Sequence, residues 1–76
     1  MSELPCVNGK EAIYAFGRLG FVESRIQGSH HILKKAGYEK LLAVPVHGSK
    51  PLKPGTLRGL IKASGQSVQE FVAALR

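Results

Sequence analysis

Seventy-six residues suffice for one domain with a thin core, since a chain of about 60 residues buries only roughly 60% of its unfolded surface. With 43% hydrophobic and 21% charged residues, and no repeat or low-complexity run, the composition argues for a globular fold and against disorder. Eleven basic against five acidic residues give a net charge of +6, and no apolar run approaches the roughly 20 residues that cross a bilayer.

The start, Met1-Ser2-Glu3-Leu4-Pro5, has no basic leader before an apolar segment, so a cytoplasmic protein without a membrane anchor is expected. Cys6, the single cysteine, cannot close an intrachain disulfide and reads as a free thiol in a reducing compartment.

Asn8-Gly9-Lys10-Glu11 has the form of a capping box, with Asn8 accepting from a free amide of the first turn and Glu11 reaching back. Ile13, Phe16 and Leu19, with Ala12 beside them, fall on one helical stripe, and Gly20 follows as a left-handed stop. The pattern predicts a helix from Gly9 to Leu19. From Phe21 the period changes. Phe21 to Ile26 reads as a strand, Gln27-Gly28-Ser29 as a turn, and His30 to Lys35 as a second strand. Ala36 to Glu39 forms a second turn and Lys40 to Val46 a third strand. Turn signals this close together favour an antiparallel meander over crossovers. Pro45 cannot donate to a ladder, so the third strand is an edge there or ends there.

His47 to Lys53 is a polar loop, and Pro54 suits the first turn of the next helix. Leu57, Leu60 and Ile61 make that helix's apolar stripe, and Gly65 stops it. Ser67-Val68-Gln69-Glu70 is a second capping box, followed by Val68, Phe71, Val72 and Leu75 at helical spacing. The expected fold is α+β, in the order α-β-β-β-α-α: one domain over residues 1–76, a three-stranded antiparallel sheet with helices on one face. The last two helices, around Gly65, also have the outline of a helix-turn-helix. Their stripes are needed for burial, which favours a helical hairpin packed on the sheet.

The positive charge is concentrated. From Lys34 to Lys62 the chain carries Lys34, Lys35, Lys40, Lys50, Lys53, Arg58 and Lys62 against Glu39 alone, which is the whole excess of six. Such a field attracts polyanions and supplies sequence-independent phosphate contacts, though a solvated surface has the same composition. A membrane surface fits less well, because no helix joins a basic face to large exposed apolar residues.

His30 and His31 are the candidate chemical groups. Adjacent strand residues point to opposite faces, so only one of them looks out over the free face. An imidazole can take and return a proton near neutral pH, as RNA cleavage by its own 2′-hydroxyl requires, and Lys34 or Lys35 lies near enough in sequence to stabilise charge on the phosphoryl oxygens. Spacing alone fits two ordinary strand histidines as well. Metal binding gains no support: His47 is remote in sequence, the acids are scattered and Cys6 has no partner thiol. Isolated Gly28 and Gly48 make no phosphate loop, so no nucleotide or other small-molecule cofactor is expected.

Gly28-Ser29-His30, Val44-Pro45-Val46-His47-Gly48, Leu52-Lys53-Pro54-Gly55-Thr56-Leu57 and Gly65 before a capped helix with Phe71 together resemble the HicA family of toxins. Leu4-Pro5 and Leu19-Gly20-Phe21 fit the same pattern, so the resemblance spans essentially the whole chain in order. It implies a fold similar to a double-stranded-RNA-binding domain. It also implies a type II toxin that cuts mRNA independently of the ribosome, with a HicB-type antitoxin masking the active site; the lack of metal-ligand spacing makes metal-independent chemistry the expectation. The family's catalytic histidine matches His30, with His31 the adjacent alternative. Ser29, His31, Lys34, Lys35, Lys40, Lys50 and Lys53 are the expected RNA-binding residues. A non-catalytic RNA- or DNA-binding module using the same basic face is the alternative, and a domain docking an acidic protein partner is a further one.

Overall fold

The computed structural model describes residues 4–76; the reading of Met1-Ser2-Glu3 as lacking a leader lies outside them. The elements are α1 (Gly9–Arg18), β1 (Val22–Gln27), β2 (His30–Lys35), β3 (Tyr38–Pro45), α2 (Pro54–Ala63) and α3 (Val68–Ala74). The strands form one antiparallel sheet in the order β1-β2-β3. This is the expected α-β-β-β-α-α order, an α+β fold like that of a double-stranded-RNA-binding domain. The third strand starts earlier than the pattern predicts, at Tyr38, because a two-residue turn at Ala36-Gly37 closes the second hairpin directly.

Both capping boxes form as read. The Asn8 side chain accepts from the Glu11 amide at 2.9 Å while Glu11 accepts from the Asn8 amide, and Ser67 and Glu70 repeat the exchange at α3. Each box satisfies donors that the first turn leaves open. Gly20 and Gly65 follow the first two helices with φ of +105° and +77°, values that cost a residue with a Cβ.

One core sits between the helices and one face of the sheet. Phe16 is its centre, with the rings of Phe21 and Phe71 at centroid distances of 6.0 and 5.0 Å. Ala12 and Ala15 are fully buried beside it, while Ile13 and Leu19 of the expected stripe are half-buried. Leu33, Leu42 and Val44 come up from the sheet, and Leu57, Leu60, Ile61, Phe71 and Ala74 come down from α2 and α3. The α2–α3 pair is therefore a packed hairpin, its stripes spent on burial. Alternation then defines the other face: His30, Ile32 and Lys34 of β2, flanked by Arg25 and Gln27 of β1 and by Ala43 and Pro45 of β3. Ile32 is nearly buried there but lies outside the main core.

Candidate functional site

The two histidines follow a tight hairpin. Gln27 pairs with His30, leaving Gly28-Ser29 as a two-residue turn with positive φ (+60°) at Gly28 only, the form that matches strand twist. The Ser29 carbonyl accepts from the Val46 amide at 2.7 Å, tying the turn to the chain just beyond β3. Ser29–Val46 is thus a bonded pair, and His30–Pro45 next to it is a non-bonded one, where Cα atoms lie roughly 4.5 Å apart. Proline is accommodated because its missing N–H would have pointed outward from an edge strand.

His30 is exposed on the open face, and its ring has no hydrogen-bond partner among the described residues. His31 points to the helix side, opposite Ile26 and Val44, yet at a margin that the helices leave uncovered: every residue of β1 is exposed. Its Nδ1 lies 2.5 Å from Oε1 of Glu23, with the two side chains 23% and 41% exposed. An ionised carboxylate only accepts, so in this contact Nδ1–H of the ring donates to Glu23.

A bulge produces that contact. The β1–β2 register moves from Arg25↔Ile32 to Glu23↔Leu33, leaving Ser24 unpaired. Counted outward from the turn, an unbroken ladder would set Glu23 opposite Lys34, on the face of His30. The extra residue sets it opposite Leu33, on the face of His31. Glu23 was not singled out from the sequence, because no local signal there marks a bulge.

The remaining expected RNA-binding residues divide into two groups. Lys34 shares the open face with His30 but lies four residues along the strand, about 13 Å away at the usual rise. Lys35 turns to the other face, where its ammonium sits 5.6 Å from the centroid of Phe21. Lys40 is near the same distal hairpin. The structure therefore does not bring Lys34, Lys35 or Lys40 to the histidine pair.

Lys50 and Lys53 lie at the histidine end instead. With Pro45, His47, Pro51, Leu52 and Thr56 they line an open cleft of about 370 Å³ that begins at Pro45, the residue paired with His30. The loop is held in place at its base: Leu52 donates to the Val7 carbonyl at 2.8 Å, and Asn8 bridges to Pro51. The first turn of α2 opens nearby with Pro54 and without an acidic side chain, so its free amides present partial positive charge. Cleft cations and helix end together suit phosphate oxygens. His47 is the residue here that the sequence reading left outside the site, because a loop position gives no facing.

Among the described residues no three His, Cys, Asp or Glu side chains gather as a metal site, and no helix is long and apolar enough to cross a membrane. Cys6 is exposed and free. Among curated proteins none matches this chain significantly. The model of one family does match, described as the HicA toxin of bacterial toxin–antitoxin systems, and it covers residues 9–66, from the first residue of α1 past the end of α2. With both histidines and the whole lysine-lined cleft inside that span, the chain belongs to the HicA toxin family.

Proposed function

We propose that this HicA-family toxin is an endoribonuclease that cleaves mRNA, independently of the ribosome and without a metal ion, using an imidazole of the His30–His31 pair as general base. Its place of action is the cytoplasm, where the substrate is. Membership of the family implies an antitoxin partner, and a HicB-type protein covering the histidine end would silence the enzyme by occlusion. The observation that supports this reading is the exposed His30, paired across the sheet with Pro45, the residue at which a cleft bearing Lys50, Lys53 and His47 begins.

In this reaction a base removes the 2′ proton, the 2′ oxygen attacks the adjacent phosphorus, and cations hold the developing phosphoryl charge. The motif match gives the base to His30, whose ring is exposed and unencumbered. The cation role falls to Lys50 and Lys53 rather than to Lys34 or Lys35, because the former share the histidine end of the sheet. The test is incubation of purified protein with single-stranded RNA in EDTA, beside His30→Ala and His31→Ala. RNA shortened over time, with loss in one histidine variant, supports the nuclease. RNA shifted on a gel but recovered intact favours a binding module on the same basic surface, and loss of cutting in EDTA alone removes the metal-free claim.

A further inference from the structure

We propose that His47 is the general acid of the cleavage reaction, the ring that protonates the departing 5′ oxygen while His30 takes the 2′ proton; the proposal rests on the nuclease reading above and on its assignment of the base. Cleavage by the 2′-hydroxyl needs a proton removed at one oxygen and a proton supplied at another, and a single imidazole cannot do both at once. The chain has three histidines. His30 is the base, and His31 is turned to the opposite face with its Nδ1 on Glu23. His47 is the imidazole that remains. It is exposed, and it lines the cleft that begins at Pro45, the residue paired with His30.

The backbone holds His47 beside His30. Val46 donates its amide to the Ser29 carbonyl, so the chain keeps its strand direction for a residue past the end of β3. The Val46 side chain lies against Gly9 of α1, while Pro45 and His47 on either side of it both line the cleft, as alternation requires. Immediately afterwards the His47 carbonyl accepts from the Lys50 amide at 3.1 Å, and Gly48 takes the positive φ (+60°) of the turn. Two extended residues carry His47 about 7 Å beyond Pro45. With about 4.5 Å between Pro45 and His30, the Cα atoms of His30 and His47 lie about 8 Å apart. Two rings on that span can reach the entering and leaving oxygens on opposite sides of one phosphorus, each at about 3 Å. Among the described residues no carboxylate lines the cleft. Imidazole is the side chain suited to give and regain a proton near neutral pH, which leaves the ammonium groups of Lys50 and Lys53 for the phosphoryl oxygens.

The step balances as a transesterification. The 2′-hydroxyl proton passes to the neutral ring of His30 as the bond from O2′ to phosphorus forms. The bond from phosphorus to O5′ breaks, and its electron pair stays on O5′, which takes a proton from the imidazolium of His47. The products are a 2′,3′-cyclic phosphate and a 5′-hydroxyl. Water then carries one proton away from His30 and one to His47, so the enzyme returns to its starting state with no net change.

The experiment uses a short single-stranded RNA that the native protein cuts at one mapped bond, and the same RNA with sulfur in place of the 5′ oxygen at that bond. A thiolate leaves without being protonated, so this second substrate has no need of an acid. Single-turnover cleavage of both is measured with native protein, His47→Ala, His47→Gln and His30→Ala, with thermal melts to confirm folding. On ordinary RNA both His47 variants should lose about 100-fold or more. On the sulfur substrate they should cut at close to the native rate, while His30→Ala should be impaired on both, since the 2′ proton must be removed whatever leaves. Native rates of the His47 variants on ordinary RNA would overturn the proposal and hand the donation to water. Equal losses on the two substrates would also overturn it and leave His47 a phosphate-binding or structural residue, and rescue of His30→Ala by sulfur would show the two roles exchanged. Each of these three results leaves the nuclease standing. Native protein that cuts no RNA would bring down the nuclease reading itself.

Discussion

The Tyr38 hydroxyl donates to the carbonyl of Ala63 at 2.5 Å, joining the start of β3 to the last turn of α2 across 25 residues of chain. Helix ends leave carbonyls without internal partners, and this one is part-buried, so the phenol supplies what water cannot fully provide. The ring meets Phe21 edge-on at 5.9 Å and closes over Gly65, where an added Cβ would sit 3.2 Å from the hydroxyl. Tyr38 is therefore a structural tie between sheet and helices rather than a free platform for a base. Tyr38→Phe should cost about 1 kcal/mol in urea denaturation and leave RNA affinity unchanged; weaker RNA binding with native stability would reverse that assignment.

Glycine-to-alanine changes should differ in sign. At Gly9 an added Cβ would meet the Pro45 carbonyl oxygen, backbone that cannot swing aside, and the Val46 side chain. Gly9→Ala should therefore destabilise by about 1–3 kcal/mol despite alanine's better helix propensity. Gly17 and Gly59 lie within helices and have open space around the same position. Alanine at either should stabilise by about 1 kcal/mol. Thermal melts of the three variants check the order.

Phe16 and Phe71 pack with centroids 5.0 Å apart and both are fully buried. Truncation of either to alanine should cost about 3–5 kcal/mol, enough to unfold much of so small a domain at 37 °C. The double variant should cost less than the sum, because the packing between the two rings is removed only once. Additive losses in chemical denaturation would show that the rings contribute independently.

Lys50→Ala and Lys53→Ala should each weaken binding to single-stranded RNA. Each should also reduce the slope of log affinity against log salt by about 0.7 for every phosphate that is no longer neutralised. Lys34→Ala, at the far end of the sheet, should change the slope less. Equal effects at all three positions would mean that the RNA runs along the open face rather than into the cleft. Filter binding over a salt series decides between them.

Much of the fold was legible because its signals are local. Asn8 and Ser67 announce their helices through a side chain and an acid three residues on; Gly20 and Gly65 end helices through backbone freedom; Pro45 marks an edge through a missing donor. Such features act within one turn or one strand, so residue order alone specifies them. The facing of His30 and His31 onto opposite sides likewise follows from alternation.

What the tertiary structure decided is which groups those rings meet. Lys34 and Lys35 adjoin the histidines in sequence, but strand rise carries one away and alternation turns the other under Phe21. Lys50, Lys53 and His47 come to line one cleft with Pro45, the partner of His30, on a loop tied at Val7 and Asn8. Glu23 reaches His31 because Ser24 falls out of register. A cleft and a bulge are settled by packing among distant segments, and no short run of residues encodes them.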